Sequence, residues 1–451
     1  MTAQKITIEP VTRIEGHARI TLHLNEGGEV ERSYLHVDEF RGLEKFSEGR
    51  PYFEMTQITQ RICGICPVSH HLASAKACDG IAGVAIPRPA ALLRELLHMA
   101  QFVQSHSMHF FYLAGPDLVL GFDADPAVRN VFGIIQANPE LAFKAVGQRR
   151  FGQQIIERLG GKRVHPNFAV PGGVNQPLAS RDRDAITAEL DAQIGVALEG
   201  VSLLAGWVEK NRSLATSFAS FPSSYMGLVD PQGGLQLYDG RIRICGPDGR
   251  PIDQFEAEDY LLHVAEHVEP WSFLKFPYYR KQGWPQGAYR VGPLGRLNVV
   301  DHVGTPLAQE EFKRFRHLGN GRPVEGSLFY HYARLIELIY ALERIGQLLS
   351  DPDILSTDIR AYGPATPRER AVGVIEAPRG TLVHDYTVDK DGLIRRASDL
   401  HPDWHAAAWP RFSGHFPRPV SFPGQRNKFY LLSSWQFFPL PHPIGRPTGP
   451  G

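Results

Sequence analysis

Cysteine is scarce in this chain. Only four of its 451 residues are cysteines, namely Cys63, Cys66, Cys78 and Cys245. So few thiols cannot form a disulfide framework for a chain of this length. Their positions are more informative than their number, because two of them lie three residues apart in the segment RICGIC at 61–66.

Long apolar runs, basic clusters and nucleotide fingerprints are also missing. No segment approaches the ~20 apolar residues that a membrane span needs, and the start MTAQKITIEPVTRIEGH does not resemble a secretory signal. The 48 basic residues equal the 48 acidic ones and form no stripe, which disfavours nucleic acid as a partner. No G-x-G-x-x-G motif is present to bind a dinucleotide. We expect a soluble, cytoplasmic protein, unless a partner chain carries an export signal.

The sequence predicts a mainly helical α+β protein, with a central helical bundle and small antiparallel β elements. Hydrophobic residues make up 43% of the chain, enough for one large catalytic unit or two fused lobes. Residues 5–38 alternate between apolar and polar side chains, which indicates an antiparallel meander, and 235–256 read as a hairpin with a Pro-Asp-Gly turn. Apolar residues recur at helical spacing in 66–82, 90–113, 139–159, 182–211 and 327–350.

The Cys63–Cys66 pair has three chemical interpretations: half of a zinc site, a redox dithiol, or half of a redox-metal site. Zinc is disfavoured because Cys78 and Cys245 are isolated from each other. A dithiol of the thioredoxin type is disfavoured because the preceding segment FEMTQITQR does not look like a buried parallel strand. His70 follows Cys66 by four residues, so on a helix it could donate to a metal-bound sulfur. A lone histidine there would more often be a packed or surface residue.

The segment RICGICPVSH at 61–70 resembles the motif Arg-x-Cys-Gly-x-Cys-x-x-x-His of nickel-iron hydrogenase large subunits. Further blocks agree with this family in the expected order, and the resemblance covers about residues 5–397. The segments HVDEFRGLEKF and QRICGICPVSHHLASAKA most resemble the large (beta) subunit of soluble, bidirectional NAD-reducing hydrogenases. The further blocks are TRIEGH at 12–17, EFRGLE at 39–44, VGPLGRLN at 291–298 and EAPRG at 376–380.

The resemblance implies a nickel ion held by four cysteine thiolates, two of which bridge to an iron that carries carbon monoxide and two cyanides. Cys63 would be a terminal nickel ligand and Cys66 a bridging one. Such a centre splits H2 heterolytically. Glu15 would be the first carboxylate of the proton relay, Arg379 would stand over the open metal face and hold a cyanide, and Pro378 would bring the turn close to the diatomic ligands.

Other residues have less specific roles. By the resemblance, Glu44 would bind a magnesium ion and Asp117 would be an acid near the metal site. Without the family match, Glu15 would be a solvated or capping residue, Arg379 a surface-turn residue and Glu44 a helix-start residue. Cys78 and Cys245 match no ligand position and are interpreted as small apolar residues.

The resemblance also implies partner chains. Electrons must leave a buried centre, and this chain has no cysteines for iron-sulfur clusters of its own. We expect a small iron-sulfur subunit, and diaphorase subunits that carry flavin mononucleotide (FMN) and NAD.

The last part of the chain departs from the family pattern. Residues 401–451 contain 10 of the 35 prolines and a single acidic residue, Asp403. The family supplies its other two nickel thiolates from a carboxy-terminal Asp-Pro-Cys-x-x-Cys-x-x-His motif, and this chain has none. We therefore divide it into a catalytic domain, 1–397, and an atypical tail, 398–451, which we interpret as translation in a wrong reading frame. A genuine proline-rich extension is the alternative, and it would leave a defective subunit or a non-catalytic scaffold.

Overall fold

The computed structural model describes residues 5–14, 16–37, 42–361 and 366–400. Glu15 and residues 401–451 therefore lie outside the described residues. The α-helices in the described part are α1 Leu43–Ser47, α2 Met55–Ile58, α3 Pro67–Ala82, α4 Arg88–Ser107, α5 Gly115–Leu120, α6 Val131–Ala137, α7 Pro139–Gly160, α8 Ser180–Lys210, α9 Arg212–Ser217, α10 Tyr260–His263, α11 Gly292–Val299, α12 Pro306–Leu318 and α13 Tyr330–Ser350.

The strands are short. They are β1 Lys5–Ile8, β2 Ala18–Leu24, β3 Val30–Val37, β4 Ala169–Val170, β5 Gly173–Val174, β6 Ser224–Val229, β7 Arg241–Cys245, β8 Pro251–Phe255, β9 Val264–Val268, β10 Lys275–Tyr279, β11 Tyr289–Arg290, β12 Arg370–Ala377, β13 Gly380–Val388 and β14 Ile394–Leu400. The predicted α+β class with a helical centre and small antiparallel sheets is confirmed.

The long helices pack around α4. This helix contacts α7 on one side and α13 on another, and α13 also packs against α8. The close approach of α4 and α7 depends on Gly152, because a Cβ atom there would lie 2.7 Å from the carbonyl oxygen of Ala100. Every residue from Leu96 to Ser107 is buried, polar ones included. A helix that is buried all round can present polar side chains to an internal site.

The five predicted helices are confirmed, with one difference in α4. The sequence predicted a helix over 90–113, whereas the α-helix ends at Ser107 and continues as a π-helix over Met108–Ala114. A π-helical turn changes the direction in which side chains leave the helix, and such turns are frequent at functional sites. The buried His109 lies in this segment.

Both predicted β elements are present. Strands β1, β2 and β3 form the antiparallel meander expected over 5–38. The hairpin expected over 235–256 consists of β7 and β8 and belongs to a four-stranded sheet of order β11-β6-β7-β8, in which β11 runs parallel to β6.

A third sheet has the order β12-β13-β14 and is antiparallel throughout. Strand β12 packs along helix α3. The contact is close, because a Cβ atom at Gly373 would lie 2.0 Å from the carbonyl oxygen of Ala73. This sheet carries the EAPRG segment and places it beside the helix that follows the cysteine pair.

Candidate metal centre

The two cysteines of the motif lie in a buried loop between a 3-10 turn and helix α3. Cys63 follows the turn Thr59–Ile62, and Cys66 is the residue before the first turn of α3. The side chains are 5% and 2% exposed. The Cys66 backbone N–H donates to the Cys63 sulfur over 3.1 Å, so one sulfur is already held against the backbone of the other cysteine.

Helix α4 holds this loop from the other side. The side-chain amides of Gln101 and Gln104 both donate to the carbonyl oxygen of Ile65, over 2.9 and 2.7 Å. Ile65 lies between the two cysteines. Two donors on one carbonyl fix the path of the backbone there, because a buried carbonyl oxygen is costly to leave without a donor.

His70 lies on α3, one turn after Cys66, as the spacing predicted. Its Nδ1 atom is 3.2 Å from the Nε2 atom of His384 on β13. The Nδ1 atom of His384 is 2.7 Å from the hydroxyl oxygen of Tyr386, which donates to the Ser74 hydroxyl over 3.0 Å. The chain of four buried side chains connects α3 to β13.

The two ring contacts of His384 tie His70 on one side to Tyr386 on the other, so His384 sets the orientation of the His70 ring.

Arg379 lies in a two-residue turn that joins β12 to β13. Ala377 pairs with Gly380, which leaves Pro378 and Arg379 as the turn. Arg379 is 4% exposed, so it is not the surface-turn residue that its local sequence would suggest without the family match.

The direction of β12 places this turn near Cys66. A Cβ atom at Gly80 would lie 2.6 Å from the Ala371 Cβ atom, and one at Gly373 would meet the carbonyl oxygen of Ala73. Residue numbers therefore rise along β12 as they fall along α3. The strand from Gly373 to the turn is about 16 Å long. Gly373 faces residues 73–77 of α3, and the helix from there back to Cys66 is about 13 Å long. The turn and the cysteine loop thus lie toward the same end of α3.

Arg296 of α11 holds the turn from behind. Its guanidinium is fully buried and donates to both carboxylate oxygens of Glu337, over 2.6 and 2.7 Å, and to Glu376 over 2.7 Å. It also donates to the carbonyl oxygens of Ala377 and Pro378, over 3.0 and 3.2 Å. The family blocks contain Arg296 and Glu376, but sequence reasoning assigned neither a role, and it did not consider Glu337 at all.

Two histidines of α4 extend this network. The Nε2 atom of His106 is 2.9 Å from Glu337, and the Nε2 atom of His98 is 2.8 Å from the carbonyl oxygen of Glu376. Burial lowers the pKa of His106 to about 4 and that of His98 to about 3, although their acceptors act in the opposite direction. Both rings are therefore neutral at pH 7. Burial also raises the pKa of Glu376, whereas at Glu337 the charge of Arg296 outweighs burial and lowers the pKa.

A second group of buried bases lies near Arg379. Arg334 and His331 of α13 are 1% and 3% exposed, and their side-chain nitrogens are 3.2 Å apart. The ring of His109 lies 5.5 Å from that of His331. Burial lowers the pKa of Arg334 to about 9, and the charges of Arg379 and Arg296 add to this effect. Burial and the charges of Arg334, His331 and Arg379 also lower the pKa of His109. Arg296, Arg334 and Arg379 thus lie near one another, and Glu337 and Glu376 are the acidic partners in this region.

Asp117 lies fully buried in α5 and binds a residue of the TRIEGH block. The Arg13 guanidinium donates to its carboxylate over 2.6 Å and to the carbonyl oxygen of Arg129 over 2.8 Å. Burial raises the pKa of Asp117 to about 6, against the effect of Arg13 and Arg129. Asp117 therefore anchors the segment that leads to Glu15, a contact that sequence reasoning did not anticipate.

The remaining predicted residues are Glu44, Cys78 and Cys245. Glu44 is half-buried in the first turn of α1, a helix that packs against β14. Cys78 and Cys245 are buried in different apolar clusters, as expected of small apolar residues. Burial raises the pKa of both thiols, that of Cys245 to about 11.

The described residues supply only half of a four-thiolate centre. Cys78 follows Cys66 by twelve residues on the same helix, so the two are about 18 Å apart and cannot bind one metal ion. Cys245 lies on β7 with its sulfur 3.9 Å from the carbonyl oxygen of Val299. Within the described ranges, no group of three or more His, Cys, Asp or Glu side chains could hold a metal ion. The full family centre does not fit this part of the chain.

Comparison with known proteins identifies the class. A family model described as "Nickel-dependent hydrogenase" matches residues 41–130, and one described as "HoxL-like" matches residues 5–40. A vhu subunit of the F420-non-reducing hydrogenase of Methanocaldococcus jannaschii is 44% identical over 402 residues, which span 89% of this chain and 95% of that protein. The beta subunit of the NAD-reducing hydrogenase HoxS of Cupriavidus necator is 42% identical over 409 residues, which span 88% and 84%.

Solved structures agree. A chain of an NAD+-reducing [NiFe]-hydrogenase in the H2-reduced state matches with a TM-score of 0.86 and 43% identity over 89% of each chain. A chain of the Ni-Fe-Se hydrogenase from D. vulgaris Hildenborough shares the fold, with a TM-score of 0.73 and 23% identity. The chain belongs to the nickel-dependent hydrogenase family and is of the large-subunit type. No helix in the described ranges is long and apolar enough to cross a membrane.

Proposed function

We propose that this chain is the metal-carrying subunit of an oxidoreductase that cleaves H2 heterolytically and reversibly. Electrons would pass through a small iron-sulfur subunit to diaphorase subunits that hold FMN and NAD. The observation that carries the proposal is that the buried Cys63–Cys66 loop and the Arg379 turn lie toward the same end of α3. Soft thiolates are suitable ligands for nickel and iron.

The residues have distinct proposed roles. Cys63 and Cys66 would supply one terminal and one bridging thiolate of a Ni-Fe centre with carbon monoxide and cyanide ligands. Arg379 would present a buried positive charge toward that centre, and Pro378 would shape the turn beside it. Glu15 would accept the proton and Glu44 would bind magnesium. Asp117 would act through Arg13, because that contact holds the segment that leads to Glu15.

The proposal also includes an explanation for the two nickel thiolates that this chain lacks. We infer that the tail from about residue 398 is out of frame, since the chain holds neither the carboxy-terminal cysteine motif nor other cysteines near Cys66. The test is to determine the gene sequence from about codon 390 onward and to translate all three frames. A shifted frame that encodes Asp-Pro-Cys-x-x-Cys would restore four thiolates. Its absence would leave a defective or non-catalytic subunit.

The activity can be tested on a complex with the restored segment. Nickel and iron content, the infrared bands of bound carbon monoxide and cyanide, and H2-dependent reduction of NAD would be measured together. Cys66→Ser should remove nickel and activity, whereas the matched variant Cys78→Ser, on the same helix, should retain both. A complex that binds nickel and reduces a dye with H2 but does not reduce NAD would contradict the proposed acceptor alone.

A further inference from the structure

We propose that Arg296 is a positioning residue, which holds the Pro378–Arg379 turn so that the Arg379 charge faces the cysteine end of α3. The role of the Arg379 charge at the cysteine end of α3 rests on the proposed function. The arrangement itself rests on contacts within the described residues. Arg296 would not touch the metal ligands or the substrate but would act through Arg379.

The contacts of Arg296 converge on the turn. Two of its donors bind the carbonyl oxygens of Ala377 and Pro378, the two residues that precede Arg379. A third contact binds Glu376, whose other oxygen accepts from the Leu228 backbone N–H and the Thr381 hydroxyl. Arg296 thus binds both the end of β12 and the turn that follows it.

The other side of the guanidinium is fixed to the helical core. Glu337 of α13 binds both the Nε atom and one terminal nitrogen of Arg296, and His106 of α4 contacts the same carboxylate. Such a bidentate pair sets the plane of the guanidinium as well as its position. The turn is therefore tied to α4 and α13, and α4 also holds the cysteine loop through Gln101 and Gln104.

Lysine could not reproduce this geometry. An ammonium group is a point charge with three donors, whereas the guanidinium spreads its contacts over two carboxylates and two carbonyl oxygens. Arg296→Lys would keep a positive charge beside Glu337 and Glu376 but would lose the bonds to the turn. This substitution separates positioning from neutralisation of the buried carboxylates.

The molecule contains a matched control. Arg94 is also fully buried, and it binds the Asp79 carboxylate together with the carbonyl oxygens of Val170 and Gly173. It has the same kind of contacts, but the turn it holds lies elsewhere. Arg94→Lys should therefore cost comparable stability without loosening the Arg379 turn.

The experiment is native-state trypsin digestion of the full chain, with cleavage after Arg379 measured by mass spectrometry relative to cleavage after Lys390, in the exposed turn that follows β13. We expect Arg296→Lys to accelerate cleavage after Arg379 at least tenfold and Arg94→Lys to leave the ratio unchanged. Equal ratios for the two variants would overturn the proposal and leave Arg296 as a purely structural residue.

A second variant covers the case in which Arg296→Lys does not fold. Glu337→Gln lies on α13, distant in sequence from the turn, and it weakens the bidentate contact that fixes the plane of the Arg296 guanidinium. We expect Glu337→Gln to accelerate cleavage after Arg379 relative to cleavage after Lys390. Where Arg296→Lys does fold, the double variant should show no further increase. No acceleration in Glu337→Gln would contradict the proposal. Absence of H2 cleavage by the complex would refute the proposed function but would not alter these digestion ratios.

A spectroscopic measurement links the arrangement to the centre. In a metal-loaded complex, Arg296→Lys should shift the infrared bands of bound cyanide, and Arg94→Lys should not. Unshifted bands in Arg296→Lys would mean that Arg379 keeps its place without Arg296.

Discussion

The Nδ1 atom of His70 lies 3.2 Å from the Nε2 atom of His384, and this contact joins the helix that follows the cysteine pair to strand β13. Tyr386 and Ser74 complete the chain. The orientation of the His70 ring is therefore set by groups on another element. Because all four side chains are buried, each missing partner should have a measurable effect on stability.

Tyr386→Phe should destabilise the protein by about 1–3 kcal/mol, because it leaves His384 and Ser74 buried without the hydroxyl between them. The measurement is the urea midpoint at constant m value. Tyr278→Phe is the control, since the Tyr278 hydroxyl makes no hydrogen bond within the described residues. Ser74→Ala should be less damaging in the Tyr386→Phe background than alone, and full additivity would argue against a connected chain.

The contact of β12 with α3 can be tested with two glycines. Gly373→Ala should destabilise the chain strongly, by about 3 kcal/mol or more, because the added Cβ atom would lie 2.0 Å from the Ala73 carbonyl oxygen. Gly195→Ala in α8 meets no atom within 4 Å and should stabilise by about 0.5–1 kcal/mol, because alanine is the better helix former. Thermal unfolding of both variants provides the comparison. Equal effects would mean that β12 does not pack as closely as described.

Buried neutral histidines should make the protein sensitive to acid. His71 accepts from the Ala169 N–H at Nε2, and its Nδ1 atom contacts the Thr56 carbonyl oxygen, so the neutral ring satisfies both partners. Burial lowers the pKa of His71 from 6.5 to about 4. The unfolded chain therefore binds a proton at His71 near pH 6.5, whereas the folded chain binds it only near pH 4. The free energy of unfolding consequently decreases as the pH falls through this window.

For His71 alone the loss between pH 7 and pH 5 should be about 2 kcal/mol. His71→Gln should reduce the pH dependence of the unfolding free energy by this amount. The measurement is the free energy of unfolding of both proteins, from urea titrations at pH 7 and pH 5. A slope that is the same in wild type and His71→Gln would show that His71 titrates equally in both states.

The sequence predicts the parts of the fold that have a regular hydrophobic period. Apolar residues recur at helical spacing in the five long helices, and the meander and the hairpin alternate, so both kinds of element were recognisable. Strands β12 and β13 were not, because they are buried on both faces and the segment AVGVIEA at 371–377 shows no alternation. Their assignment depends on the packing of β12 against α3, which is a tertiary contact.

A single sequence names candidate site residues only where a motif contains them. Cys63, Cys66, His70 and Arg379 follow from local patterns that match the family. Glu337 lies in the segment YHYARLIELIYALE, where it reads as an ordinary helical glutamate, and only the fold reveals the guanidinium that binds it. Partners that come from distant elements have no signal in a single sequence, because the pairing is set by how the helices pack.

The cysteine loop provides the last prediction. Gln101 and Gln104 donate to the single carbonyl oxygen of Ile65, so either amide can hold the loop when the other is lost. Methionine has a similar length but no donor. Gln101→Met and Gln104→Met should each raise the rate of Cys66 alkylation by iodoacetamide only slightly, and the double variant should raise it at least tenfold.

Cys78 is the internal reference for this measurement. It is fully buried on the same helix, so its alkylation reports unfolding of α3 rather than opening of the loop. We expect its rate to stay constant while that of Cys66 rises, as read by mass spectrometry of the modified peptides. If both rates rose together, the two glutamines would stabilise the whole helix pair, and the loop would have no separate support. A selective rise at Cys66 would mean that α4 holds the cysteine loop independently of the stability of α3.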